Sequence, residues 1–128
     1  MKKLLLIAIF AMVTVAVQNA SAQTRIQFEK GKSSATIKAS TGGDGVYYVV
    51  RAKSGQKIVL TLTPASNLGI KVETDGADGQ QVLLREERGG TYEVGLEESG
   101  DYSIFVGSIN HRSVPFTLTV KIVKMTDI

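Results

Sequence analysis

The sequence predicts an all-β fold, an antiparallel sandwich of eight or nine short strands that follows an N-terminal signal peptide. Three observations carry that expectation. Beyond position 22 the apolar residues fall mainly on every second position, as in Lys57-Ile58-Val59-Leu60-Thr61-Leu62-Thr63, and period two marks a strand with one face buried. Gly-rich turn signals interrupt these runs at short intervals. No stretch after the apolar N-terminal segment sustains a helical period, and short, regularly spaced strands favour a sandwich over a barrel.

The chain opens with Met1-Lys2-Lys3, continues through an apolar run from Leu4 to Val17, and reaches Ala20-Ser21-Ala22. A short basic start, an apolar segment too short to span a bilayer as a helix, and an A-x-A end are the layout of a secretory signal peptide. Cleavage is expected after Ala22, which makes 1–22 the signal and 23–128 a single β-sandwich domain. The expected location is the periplasm, or outside the cell. The sequence has no cysteine, so neither a lipid-bearing thiol nor a disulfide is available, and one hydrophobic core of this size suffices without them.

Strands are expected near 24–28, 34–40, 46–52, 57–63, 68–74, 80–84, 91–96, 101–107 and 115–122. Ser34-Ala35-Thr36-Ile37-Lys38-Ala39-Ser40 and Tyr92-Glu93-Val94-Gly95-Leu96 alternate, and Phe116-Thr117-Leu118-Thr119-Val120-Lys121-Ile122 does so most cleanly, with Thr and Lys outward. The turns are Thr41 to Gly45, Lys53 to Gln56, Asp75 to Gly79, Arg88 to Gly90 and Glu98 to Asp101. Pro64 ends one run and Pro115 opens the last, where a missing N–H costs least.

Charge narrows the possible partners. The formal net charge is +3, but Lys2 and Lys3 leave with the signal and no acid does, so the exported chain is nearly neutral. Its basic residues are scattered singly, without the clustered face that nucleic-acid binding requires. Nucleotide binding fails too. Gly31-Lys32-Ser33 resembles the end of a phosphate loop, but Ile26 stands where the first glycine is needed and a strand pattern follows. Asp75-Gly76-Ala77-Asp78-Gly79 lacks the ligand spacing of a calcium loop. With one histidine and no cysteine, the usual nitrogen and sulfur metal-ligand sets are missing, and no cofactor is expected.

Catalysis finds little support. His111 and Ser113 are near in sequence without a third group to orient them, and the pairs Glu86-Glu87 and Glu97-Glu98 read as solvated edges. The chain is therefore expected not to be an enzyme. The stretch that remains is Glu97 to Arg112, where Ser99-Gly100-x-Tyr102 precedes a strand and His111-Arg112 follows it. Ser99 and Gly100 suit turn chemistry, and Tyr102 suits either a corner position with its hydroxyl engaged or contact with a partner.

The order Ile26-x-Phe28-x-x-Gly31-x-Ser33-Ser34-Ala35, Tyr48-x-x-Arg51-Ala52-Lys53-x-Gly55-Gln56-Lys57, Ser99-Gly100-x-Tyr102 and Phe116-x-Leu118-x-Val120-x-Ile122 resembles the periplasmic inhibitors of g-type lysozyme. A looser resemblance runs to the pre-peptidase-type β-sandwich modules of secreted enzymes. The first resemblance implies a non-enzymatic protein that places loop residues in a muramidase cleft, with g-type lysozyme as partner. It carries a binding role onto Ser99, Gly100 and Tyr102, and the loop residues His111 and Arg112 join them, although the later loop of the family is longer and more basic. The alternative is an envelope or secreted accessory module that binds polysaccharide or protein without inhibiting anything.

Overall fold

The computed structural model describes residues 24–76 and 79–125. The expected signal peptide lies outside the described residues. Nine strands follow one another: β1 (Thr24–Arg25), β2 (Ser34–Ser40), β3 (Val46–Ala52), β4 (Gln56–Thr63), β5 (Leu68–Gly76), β6 (Gly79–Glu86), β7 (Gly90–Gly95), β8 (Gly100–Ser108) and β9 (Pro115–Lys124). They form two sheets, one in the order β1-β3-β8-β5-β6 and the other β2-β9-β4-β7. The all-β sandwich is thus the fold, with no helix among the described residues.

Period two becomes layering because successive side chains of a strand point to opposite faces. In β9 the buried positions are Phe116, Leu118, Val120 and Ile122, with Thr117, Thr119 and Lys121 outward. Ile58, Leu60 and Leu62 of β4 face the same core, and Val50, Ile104, Val106, Leu68 and Val72 close it from the five-stranded sheet, all fully buried. On the outside of the smaller sheet Thr36 meets Thr119 at 3.3 Å and Thr61 meets Thr91 at 3.2 Å, cross-strand hydroxyl pairs of the kind that replace apolar packing on a solvated face.

Two elements depart from expectation. The first strand is only two residues long and runs parallel to β3, pairing Thr24 with Tyr48 and Arg25 with Val49. Ile26 extends the contact by donating its N–H to the Val49 carbonyl at 2.8 Å. β6 is longer than the expected 80–84 and is exposed along nearly its whole length, because it is an outer strand of the larger sheet. Its apolar residues Val82 and Leu83 therefore face solvent.

Candidate functional site

Strand direction sorts the loops into two groups. β8 begins at Gly100, opposite Ala52, and ends at Ser108, opposite Leu68. The turn 53–55 and the loop 96–99 therefore lie at one end of the sandwich. The loops 41–45, 64–67, 87–89 and 109–114 lie at the other. The nine residues of β8, at roughly 3.4 Å each, hold the two ends about 27 Å apart.

At the first end Ser99-Gly100-x-Tyr102 builds a corner. The Ser99 hydroxyl accepts the Ser54 N–H at 2.9 Å, which ties the β7–β8 loop to the neighbouring β3–β4 turn. Gly55 donates to the Leu96 carbonyl at 3.1 Å, and Leu96 donates to Gln56 at 3.0 Å. Gly100 has a φ of 155°, a backbone region that glycine alone adopts freely. Tyr102 is only 2% exposed, and its hydroxyl donates to the Glu98 carbonyl. Burial raises the pKa of its phenol above the ordinary tyrosine value.

Of the two roles open to Tyr102, its placement is the corner one: the ring lies inside the core and the hydroxyl is committed to the loop it follows. Ser99 is exposed, yet its oxygen already serves a backbone donor.

At the opposite end His111 and Arg112 are both exposed, on a loop braced by the Asn110 side chain and by two neighbouring loops. Asn110 Oδ1 accepts from the Ser108 hydroxyl and from the Arg112 N–H, each at 3.2 Å. His111 sits at a φ of 61°, an uncommon conformation for a residue with a β-carbon. The Ile109 N–H donates to the Asn67 carbonyl at 3.1 Å, so the β4–β5 loop supports this tip from one side.

Thr41 supports it from the other. It is 1% exposed, exchanges two hydrogen bonds with Val114 at 3.0 Å through its N–H and its hydroxyl oxygen, and brings that hydroxyl to 2.8 Å from the Gly42 carbonyl and 3.3 Å from the Arg112 carbonyl. Gly42 donates to the Ser113 hydroxyl at 3.2 Å. That hydroxyl accepts from the backbone of the neighbouring loop.

The five residues singled out from sequence thus do not converge. His111 and Arg112 share one loop; Ser99, Gly100 and Tyr102 lie at the other end of β8. Sequence reading missed Thr41 and Asn110, which hold the loop, and Ile109, 52% exposed at its base. Asn110 could have been found from its preference for turns in which its side chain caps nearby backbone. Thr41 gave no such signal, because its partners in this loop, Arg112 and Val114, lie more than seventy positions away. Among the described residues no group of three or more His, Cys, Asp and Glu side chains is placed to hold a metal ion.

This arrangement is that of a small sandwich that presents backbone-braced loops from a rigid scaffold. Comparison with solved structures gives the family. The chain is 30% identical to a periplasmic lysozyme inhibitor of g-type lysozyme, PliG, from Aeromonas hydrophila, over 78% of this chain and 95% of that one, with a TM-score of 0.69. This chain belongs to the PliG family. A PliG mutant from Escherichia coli has the same fold at 24% identity, covering 78% of this chain and 96% of that one with a TM-score of 0.60. The pre-peptidase C-terminal domain of a Bacillus anthracis collagenase shares the fold more distantly, at 14% identity and a TM-score of 0.52 over 84% and 99% of the two chains. No family model matches the chain, and no curated protein matches it.

Proposed function

We propose that this chain is an exported, periplasmic inhibitor of g-type lysozyme that acts by binding and catalyses nothing. The observation that carries the reading is its likeness to the Aeromonas hydrophila inhibitor along almost the whole of that protein. The contact is assigned to the loop 109–114, with His111 and Arg112 as the residues that enter the muramidase cleft. A glycoside-cleaving site depends on carboxyl groups, and a guanidinium offers a carboxylate two parallel hydrogen bonds. A braced loop loses little conformational freedom on docking, so more of the contact energy remains as affinity. Ser99, Gly100 and Tyr102 enter this reading as the corner that sets the direction of β8.

The test is titration of the purified exported protein against g-, c- and i-type lysozymes. Selective loss of g-type activity is the expected outcome. Undiminished activity of all three would leave an accessory binding module in its place. Export itself rests on the A-x-A end at Ala22, and mass spectrometry of periplasmic material should find Gln23 as the first residue. Retention of Met1 in that material would remove the argument for the compartment.

A further inference from the structure

We propose that the surface which meets the lysozyme extends from the loop 109–114 onto the outer face of the five-stranded sheet, with Tyr47 as its apolar anchor, a contact that presupposes the lysozyme partner proposed above. The loop alone is too small. It has six residues, whereas a stable protein–protein contact takes roughly 20–30 residues and about 800 Å² from each partner. Surface next to the loop has to supply the rest, and the two sheets offer two different shoulders.

Register builds the shoulder on the five-stranded sheet. One rung sets Tyr47, Phe105 and Lys71 side by side across β3, β8 and β5. They face outward, since Tyr48, Ile104 and Val72 on the next rung are buried in the core. The Phe105 ring leans toward the loop end: a β-carbon on Gly107 would stand 2.8 Å from it, and one on Gly45 would run into it as well. Two glycines thus form the floor on which the ring rests. Tyr47 stands beside it, with centroids 4.8 Å apart and planes tilted by 50°, and Lys71 Nζ lies 5.6 Å from the Phe105 centroid. Packed in this way, Tyr47 still leaves 38% of its surface to solvent, and it is the one exposed aromatic side chain among the described residues. The outward positions of β8 run on through Gly107 to Ile109, 52% exposed, which opens the loop. Aromatic step, glycine floor and loop therefore form one continuous stretch, about 14 Å along the strand from Phe105 to Ile109.

The other shoulder has a different composition. On the four-stranded sheet Lys38 and Thr117 border the same end around Pro64 and Pro115. Farther out come the threonine pairs and the ion pair Lys57–Glu93 at 2.8 Å. Interface cores favour Tyr and Arg over Lys and Glu, and binding energy concentrates on Trp, Tyr and Arg while Thr is under-represented. A tyrosine already packed against its neighbour also loses little rotamer freedom on docking. Tyr47 contributes by apolar burial, so its contribution is independent of the charges around it, among them Lys71, which Glu73 holds at 3.1 Å.

The experiment measures inhibition of g-type lysozyme by the exported protein and its variants at low and at high salt. Tyr47→Thr replaces the anchor with a residue suited to an outward strand position. It should weaken inhibition by about tenfold or more, by the same factor at both salt levels. The contribution of His111 and Arg112 shrinks as salt rises, which separates the shoulder from the loop tip. Lys38→Ala, on the other shoulder, should inhibit like the parent. Should Tyr47→Thr lose its cooperative thermal transition, Tyr47→Gln takes its place with the same expected loss. A folded Tyr47 variant that inhibits at the parent level, a loss that shrinks with salt, or an equal loss from Lys38→Ala would each overturn this extension and leave the proposed function standing. A parent protein that inhibits no g-type lysozyme would overturn the proposed function and the extension with it.

Discussion

Ser99 and His111 flank the same strand and lie at opposite ends of the sandwich, separated by the whole length of β8. They cannot enter one cleft together, so their substitutions should have different consequences. Replacing both His111 and Arg112 with Ala should weaken lysozyme inhibition by about 2 kcal/mol or more, the scale of charged interface anchors, with the melting temperature unchanged. Ser99→Ala removes the acceptor for the Ser54 N–H and should cost about 0.5–1.5 kcal/mol of stability while inhibition persists. The reverse ranking in paired inhibition and thermal-melting assays would move the contact to the corner.

Thr41 provides a test of loop bracing that leaves the contacting side chains untouched. Thr41→Val keeps the shape but loses the hydroxyl that accepts from Val114 and lies beside the Arg112 carbonyl. Leaving such buried backbone groups unpaired costs about 1–3 kcal/mol. Inhibition should fall as well, because His111 and Arg112 are no longer held. Hydrogen exchange at Val114 should speed up in this variant, and an unchanged rate would refute the bracing role.

Two glycines should fail for different reasons. At Gly100 a β-carbon would meet nothing within 4 Å, but φ is 155°, so Gly100→Val is strained in the backbone alone, by about 1–3 kcal/mol. At Gly89 a β-carbon would stand 2.3 Å from the Pro64 carbonyl oxygen and 2.6 Å from that of Leu62. Backbone cannot give way there as a flexible side chain can, so Gly89→Ala should be the more damaging. Urea unfolding of the two variants gives the order directly.

Leu118 and Thr117 are neighbours on β9 that point to opposite faces. Leu118 is fully buried, and Leu118→Ala should cost about 2–5 kcal/mol through lost burial and the cavity left behind. Thr117→Ala, on the outer face, should change stability by less than about 1 kcal/mol. Equal losses in chemical denaturation would contradict the inward placement of Leu118.

Tyr102 predicts an alkaline limit to stability. Burial comes first among the causes that raise its pKa, with the nearby Glu98 and Glu97 charges adding to it and the hydrogen bond to the Glu98 carbonyl working the other way. A folded-state pKa above the unfolded value means that the contribution is complete below about pH 10 and is lost as pH rises through the folded value. Tyr102→Phe should therefore flatten part of the decline in melting temperature above about pH 10. Tyr48, raised by burial as well, keeps the remainder.

The strands and the core could be read from residue order because side-chain alternation is a local property: Phe116, Leu118, Val120 and Ile122 share a face wherever the strand lies. The corner at Ser99-Gly100 was legible for the same reason, since turn preference acts over a few residues. What the sequence could not decide is which loops meet. Ser99 and His111 are near in the chain and far apart in space because an extended strand carries the backbone away at its full rise. Thr41 and Val114 are far apart in the chain and bonded in space because β2 and β9 pair in register, with Ser40 opposite Pro115. The rung of Arg25, Val49, Ser103 and Glu73 likewise exists only through strand order, since four separate segments contribute one residue each. No periodicity within any one of them could announce it.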